Sequence, residues 1–252
     1  FSAPTNPETV RVAAVQPGIT EVAFQNPDMD YQERYDIFEA KTREAAAQGA
    51  EIIVWSELFL PFDPQEEFTA ELQALAFETG AYLILPYGVF EEDGLRNESI
   101  ILNPNGEFSD LYAKAHPVLF AGEPYGLNVG TFPVYDTEIG KLATMICYDG
   151  NYTDVTRKLA AQGAEIIAAP ASDRSGIAEK QNLHLVFRAI ETRTSIVNAE
   201  KAFDSAIVDP YGHILEETIS IEPTEAILVA DVPLGTADSL YLKLGDALGW
   251  VA

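Results

Sequence analysis

Eight consecutive residues, Ala46-Ala47-Gln48-Gly49-Ala50-Glu51-Ile52-Ile53, recur unchanged as Ala160-Ala161-Gln162-Gly163-Ala164-Glu165-Ile166-Ile167. Each copy reads as a helix end, a glycine stop and the start of a buried strand. A second match follows in the same order, Ser99-Ile100-Ile101-Leu102-Asn103-Pro104-Asn105-Gly106 against Ser205-Ala206-Ile207-Val208-Asp209-Pro210-Tyr211-Gly212. Ala- and Gly-rich runs can converge by composition, but two ordered matches favour a chain built from two similar halves. Each half would carry βα units feeding a hairpin, which makes two sheets, and each sheet needs its second face covered. Sheets packed face to face with helices outside meet that need. The expected fold is therefore α/β, a four-layer α-β-β-α sandwich, read as one domain over 1–252 with 1–9 a lead-in and 238–252 a C-terminal extension.

Local patterns fill in the elements. Residues 10–15 read as a strand ending at Gln16-Pro17-Gly18, and 31–48 as an amphipathic helix with Tyr31, Tyr35, Phe38 and Ala45 on or near one face. Strands are expected at 51–55 and 82–85, with a helix over 66–79 between them, closed by Gly80. The segments 97–102 and 107–112 flank Asn103-Pro104-Asn105-Gly106, whose Pro and Gly suit a tight turn, so a hairpin is expected there. The run 141–146 reads as a buried strand, and 151–154 offers capping residues before a helix over 155–162.

Composition excludes several classes. The 252 residues are 47% hydrophobic and 22% charged, enough for a full core, and the net charge of −25 argues against nucleic acid or an anionic membrane surface as partner. The acidity is a solvation device, equally compatible with a salty environment or an exported protein. One cysteine excludes an internal disulfide, and His116, His184 and His213 show no metal-ligand spacing, so no metal is expected. No Gly-x-Gly-x-x-Gly follows a strand, which removes a dinucleotide fold. No run reaches the roughly 20 apolar residues that span a bilayer. The start at Phe1 without an initiator methionine and the stop after 244–252 without a polar tail suggest that both ends are cut.

The lone cysteine, Cys147, falls at a strand-to-helix turn, where its thiol would face the amides of a helix start. That setting lowers a thiol pKa and makes Cys147 a candidate nucleophile. The plainer alternative is a small hydrophobe at a strand end. Glu57 closes the strand after the first βα unit, as Cys147 closes its own, so a shared cleft can bring them together. Lys114 is a lone cation just beyond the expected hairpin. Taken singly, an acid at a strand end such as Glu57 is usually a solvated or capping residue, and a loop lysine such as Lys114 is usually just exposed.

Taken together and in this order, Trp55-Ser56-Glu57, Tyr112-Ala113-Lys114-Ala115-His116 and Ile146-Cys147-Tyr148-Asp149, followed by Arg157 and 163–167, resemble the carbon-nitrogen hydrolase (nitrilase) superfamily. The resemblance covers nearly the whole chain and implies a Glu-Lys-Cys triad, here Glu57, Lys114 and Cys147. Within the superfamily the chain looks most like the apolipoprotein N-acyltransferase branch. The cues are Phe120-Ala121-Gly122-Glu123, Pro170-Ala171-Ser172-Asp173-Arg174-Ser175 and the terminal Tyr241-Leu242-Lys243-Leu244-Gly245-Asp246 ending at Trp250. Two departures stand: the Lys114-to-Glu123 spacing is one residue longer than that pattern, and Asp149 stands where the branch has glutamate.

The resemblance implies chemistry that these residue types can perform. Glu57 would take the thiol proton, Lys114 and the backbone N–H of Tyr148 would stabilise the oxyanion, and a thioester would pass its acyl group to water or an amine. Glu123 would orient Lys114, or else be an exposed loop acid; Asp149 is a further supporting residue. No cofactor is implied. The expected substrate is a small-molecule amide, an ester or a lipid-borne acyl group, a homo-oligomer is open, and the rival reading is a non-catalytic sensor or binding domain of the same fold. If the branch assignment holds, membrane helices flank this chain in an extracytoplasmic protein, and Phe59, Leu60, Phe62, Leu119 and Phe120 are exposed around the cleft mouth.

Overall fold

The computed structural model describes residues 8–20, 29–124, 126–245 and 247. In chain order the first half runs β1 (Thr9–Pro17), α1 (Tyr31–Ala47), β2 (Ile52–Val54), α2 (Thr69–Thr79), β3 (Tyr82–Glu91), β4 (Gly94–Leu102) and β5 (Tyr112–Ala113). The second runs β6 (Val134–Thr137), β7 (Gly140–Thr144), α3 (Thr153–Ala161), β8 (Ile166–Pro170), α4 (Ala178–Thr192), β9 (Ser195–Ala199), β10 (Ala206–Val208) and β11 (Ile214–Glu217). The chain then adds β12 (Glu225–Pro233) and a short α5 (Leu240–Leu244). Two six-stranded sheets result, ordered β12-β1-β2-β3-β4-β5 and β11-β10-β9-β8-β7-β6. In each, three parallel strands (β1-β2-β3, β7-β8-β9) are followed by an antiparallel neighbour, β4 or β10.

Side-chain alternation along the strands sorts the core into layers. Val12 and Ala14 of β1, Ile52 and Val54 of β2, Ile166 and Ala168 of β8 and Val197 and Ala199 of β9 pack between the sheets. Ala13, Val15, Ile53, Leu83 and Leu85 turn outward under Tyr35, Phe38 and Ala45 of α1 and Leu72, Leu75 and Ala76 of α2. On the other side Ala143, Ile167, Ala169 and Ile196 meet Val155 and Leu159 of α3 and Leu185 and Ala189 of α4. The molecule is the four-layer α-β-β-α sandwich.

The repeated octapeptide has the same job twice. Gly49 (φ +86°) and Gly163 (φ +94°) take the left-handed conformation that ends α1 and α3, a region glycine enters without a Cβ penalty. Glu51 Oε2 accepts the N–H of Arg11 at 3.1 Å, and Glu165 Oε2 that of Lys141 at 2.8 Å. The second match is an Asx turn in both halves. Asn103 Oδ1 accepts from Asn105 and Glu107, both at 2.9 Å, and Asp209 Oδ1 from Tyr211 at 2.8 Å and His213 at 2.9 Å.

Some expected elements shift. The dominant hairpin of the first half is β3-β4, because β3 runs through Pro86 to Glu91 rather than stopping at 85. Beyond the Asn103 turn the return arm is irregular, held by the Leu102–Phe108 bridge, the Ser109 N–H on the Ile101 carbonyl at 2.8 Å and the β5 pairing at Glu98 and Ser99. Helix α1 opens on a capping box of Asp30 with Glu33, while Tyr31 lies exposed and Arg34 and Thr42 join its buried face. Helix α2 starts at Thr69, after Phe68 in a left-handed conformation, not at 66. Among the described residues no helix is long and apolar enough to cross a membrane. Most of 1–9 and of 245–252 lies outside the described residues.

Candidate active site

Just beyond the carboxyl ends of β2, β7 and β9 lie the buried Glu57, Cys147, Glu200 and Lys201. Trp55 pins the end of β2, its Nε1 donating to Thr42 Oγ1 at 3.1 Å and its ring stacked on Phe38 at 4.3 Å. Two residues on, Glu57 is buried and its N–H reaches the carbonyl of Ala171, beyond β8, at 3.3 Å. Lys114 follows β5, its N–H held by the carbonyl of Asn97 at 2.9 Å. Cys147 opens a 3-10 turn, Cys147–Asn151, ahead of α3. Its φ of +47° is strained for a residue with a Cβ, at a cost of roughly 1–3 kcal/mol. Gln181 of α4 holds this bend by donating to the Cys147 carbonyl at 2.7 Å. Gly150 leaves room for that amide, since a Cβ there would lie 2.8 Å from Gln181 Nε2.

Side chains remote in sequence close around one another. Lys114 Nζ donates to Glu57 Oε1 and Glu123 Oε2, both at 2.9 Å. Asn97 Nδ2 bridges the same two carboxylates, at 2.8 Å to Glu57 Oε1 and 3.0 Å to Glu123 Oε1. Glu123 Oε2 also accepts the N–H of Val118 at 2.7 Å, so Glu123 is an anchored partner of Lys114, not an exposed loop acid. Asp149 is fully buried and works on the backbone. Oδ2 accepts from the N–H of Ile146 at 3.1 Å and the Tyr112 hydroxyl at 2.7 Å, and Oδ1 from the N–H of His116 at 2.8 Å. It thereby ties the segment after Lys114 to the bend that carries Cys147. Tyr148 packs edge-on against Phe120 at 5.9 Å and Tyr152 at 5.3 Å. Its N–H belongs to the first turn of a helical segment, where amides have no intrahelical acceptor.

Sequence reasoning missed Asn97 and the group on the far side of the sulfur. Cys147 Sγ lies 3.9 Å from Asp173 Oδ1, and the Asp173 N–H donates to Glu200 Oε2 at 2.9 Å. A signal for Asn97 was present: Arg96-Asn97-Glu98-Ser99 is a polar run inside β4, directly before its apolar end. Arg96, Glu98 and Asp63 form a neighbouring charged network, with Arg96 donating at 2.5 Å to Asp63 and 2.8 Å to Glu98.

The electrostatics correct one expectation. Burial, then the negative charges of Glu57 and Asp173, push the Cys147 thiol well above its usual range, and Lys114 only partly opposes them. A helix start alone would lower it, but the neighbours outweigh that partial charge. Burial would raise Glu57 too, yet the charge of Lys114 and hydrogen bonds from Lys114 and Asn97 hold it below the ordinary carboxylate range. Burial disfavours charge on Lys114, and Glu57, Cys147 and Glu123 reverse that and hold it well above its usual value. The resting site is a thiol beside a carboxylate and an ammonium. Burial and the nearby Glu57 raise Asp173 to about 6.

A second correction concerns the apolar rim. Phe59, Leu60 and Phe62 are buried, because the chain reverses at Leu58 (φ +55°) and tucks them under α1 and α2, with Phe59 4.9 Å from Trp55. Leu119 and Phe120 are exposed, at 46% and 81%. A recess of about 660 Å³ opens at the other end of the sheets, lined by Tyr82, Asn103, Glu107, Tyr135 and Asp136, and touches none of Glu57, Lys114 or Cys147. Among the described residues no group of His, Cys, Asp and Glu is arranged to hold a metal ion.

Comparison with known proteins falls on this same frame. A family model described as carbon-nitrogen hydrolase matches residues 11–241. The apolipoprotein N-acyltransferase of Geobacter metallireducens is 28% identical over 269 residues, an alignment covering 95% of this chain and 51% of that protein. A nitrilase of Pyrococcus abyssi is 31% identical over 255 residues, covering 89% of this chain and 90% of its own length. The chain thus spans about half the length of the N-acyltransferase and most of the nitrilase. Among solved structures, a double mutant of the amidase from Nesterenkonia sp. AN1 in complex with acrylamide superposes with a TM-score of 0.77 at 21% identity, covering 100% of this chain and 99% of that one. Another structure of that amidase, with fluoroacetamide's acetamide moiety added covalently at the active site cysteine, gives 0.75 at 21% identity, covering 100% and 99%.

Proposed function

The chain belongs to the carbon-nitrogen hydrolase family, and from that premise we propose that it is a thiol amidase acting through a thioester at Cys147. The observation that carries this reading is the closed network of Glu57, Lys114, Glu123 and Asn97 beside a buried thiol. Glu57 Oε1 is occupied by Lys114 and Asn97, which leaves Oε2 to take the thiol proton. As the sulfur bonds to the amide carbon, negative charge grows on the carbonyl oxygen. Lys114 and the Tyr148 N–H stabilise it, one such donor being worth about 3 kcal/mol. The C–N bond then breaks, Glu57 gives its proton to the departing nitrogen, and an amine leaves. Glu57 next takes a proton from water, whose hydroxyl displaces the sulfur, and the proton returns to Cys147. Glu123 and Asn97 keep Lys114 and Glu57 in register through these steps, and Asp149 fixes the bend. A high resting thiol pKa fits this scheme, because the proton moves only when a substrate carbonyl is present to receive charge.

Acyl transfer to an amine is a second reading, favoured by the exposure of Leu119 and Phe120 beside Tyr148, an apolar rim suited to a lipid-borne acyl chain. In that reading 1–252 is the catalytic domain of a longer, membrane-attached protein. Intact mass spectrometry after mixing with acetamide, butyramide, fluoroacetamide and a phospholipid tests both. Adducts on the native protein from small amides, lost in Cys147→Ala, support the amidase; an adduct from phospholipid alone supports the transferase; none from any of them overturns both.

A further inference from the structure

Two buried lysines flank the Cys147 site, and they differ in one respect. Lys114 Nζ has two carboxylate partners at 2.9 Å, whereas Lys201 Nζ, on a residue only 2% exposed, has no hydrogen-bond partner among the described residues. Lys201 stands just beyond the end of β9, its carbonyl fixed by the N–H of Gly18 at 2.9 Å. Two residues before it, the Ala199 carbonyl accepts the Ala171 N–H at 2.9 Å, and the Ala171 carbonyl in turn accepts the Glu57 N–H at 3.3 Å, so Lys201 follows the strand end that abuts Glu57. Burial pushes it down to about 8, which still leaves it largely protonated at neutral pH. Glu200 beside it is completely buried, accepts the N–H of Asp173 through Oε2, and has no hydrogen-bond partner for Oε1 among the described residues. Burial and the Asp173 carboxylate hold Glu200 well above the usual carboxylate range, which favours its protonated form.

A buried ammonium without a hydrogen-bond acceptor is costly, and a ligand that supplies the acceptor removes that cost. We propose that Lys201, with Glu200 beside it, forms a carboxylate-binding subsite for the acyl chain, so that the preferred substrates are amides whose acyl group ends in a second carboxylate. The Lys201 ammonium is a charged donor with no acceptor of its own, the complement of a carboxylate, and Glu200 adds a second donor when protonated. A plain alkyl chain would leave both desolvated and unpaired, and sites of that kind discriminate strongly against the analogue that lacks the polar group. Asp173 Oδ2, also unpartnered, is the feature that would instead attract an ammonium. The substrate class rests on the amidase reading, whereas the binding site does not, and the experiment separates the two.

In the binding arm, iodoacetamide alkylation of Cys147 is followed in the presence of glutarate, valerate or 5-aminovalerate. Glutarate is expected to protect at a concentration at least tenfold lower than either of the others, with the gap falling below threefold in Lys201→Met and returning in Lys201→Arg. Equal protection by glutarate and valerate in the native protein overturns the subsite, and preference for 5-aminovalerate transfers the recognition to Asp173. In the kinetic arm, kcat/KM for the monoamide of succinic acid should exceed that for butyramide by at least tenfold, lose that margin in Lys201→Met and regain it in Lys201→Arg. Protection without turnover would keep the subsite and remove the amidase. Thermal melting guards the variant: removing an unpaired buried charge should raise Tm, and a lowered Tm in both Lys201→Met and Lys201→Gln would make Lys201 a structural residue and end the proposal.

Discussion

The two halves share their scaffolding in detail and part company where their strands end. Register makes β1 equivalent to β7 and β2 to β8, since Val12 pairs with Ile52 as Leu142 pairs with Ile166. On that frame Glu57, five residues past Ile52, corresponds to Ala171, five past Ile166, and the two touch through the 3.3 Å bond between the Glu57 N–H and the Ala171 carbonyl. Cys147, five past Leu142, corresponds to Pro17. So the carboxylate and the thiol occupy inequivalent positions of one duplicated frame. The charge of Glu57 acts on the thiol only because the sheets pack face to face. Duplication supplies matched strand ends at low sequence cost, and divergence at those ends leaves each half with one polar group that the other lacks.

The largest effect expected from this division is at the inequivalent positions. Cys147→Ala should remove turnover and every covalent adduct, a loss of about 10⁴-fold or more, with the fold intact by circular dichroism. Ala171→Cys, which puts a thiol at the position equivalent to Glu57, should restore nothing. Substantial residual activity in Cys147→Ala would break the assignment of one role to each half.

Smaller, and electrostatic, is the effect of the ammonium that joins them. Lys114→Met should raise the Cys147 thiol further and slow its alkylation by iodoacetamide at pH 7 by about tenfold or more, the factor for one pKa unit. Lys243→Met, on the exposed α5, should leave the rate unchanged. Equal rates in both variants would remove Lys114 from the neighbourhood of the sulfur.

The carboxylates past β2 and β8 offer opposite signs. Glu57 is held below its ordinary value, so its ionisation contributes stability that is present above about pH 4.5 and lost as pH falls. Asp173 is raised to about 6, so the folded state binds its proton more tightly; that contribution is complete below the unfolded value near 3.8 and lost as pH rises through 6. Asp173→Asn should therefore raise stability at pH 7.5, by on the order of 1–3 kcal/mol, and change it little at pH 4. Glu57→Gln should lower stability at pH 7.5. Denaturant melts at the two pH values check both, and the same sign for both substitutions would refute the contrast.

Least in size, and equal in the two halves, should be the cost of breaking the repeat. A Cβ on Gly49 would meet only the Arg11 side chain at 3.4 Å, and one on Gly163 only that of Lys141 at 3.5 Å, so the backbone sets the penalty. Gly49→Ala and Gly163→Ala should each destabilise by about 1–2 kcal/mol. A difference beyond 1 kcal/mol in chemical denaturation would show that the two stops are not equivalent.

The sequence by itself determined what short-range physics controls. Glycine stops, the tight turn at 103–106, apolar strand runs and the strand ends that carry Glu57 and Cys147 depend on residues within a turn or two, and these were legible as pattern. The α-β-β-α layering followed from the repeat and the need to cover both faces of each sheet. Tertiary structure decided the rest. Glu123 could be read as partner or as solvated acid until the Asn97 and Lys114 bonds placed it. Phe59, Leu60 and Phe62 read as rim until the reversal at Leu58 folded them inward. The thiol's direction of shift inverted because it is buried and because the charges of Glu57 and Asp173, 90 residues before and 26 after it in the chain, act on it there. Charge acts across space with a strength set by burial, and neither the distance nor the burial of a pair so far apart along the chain is written in the local pattern.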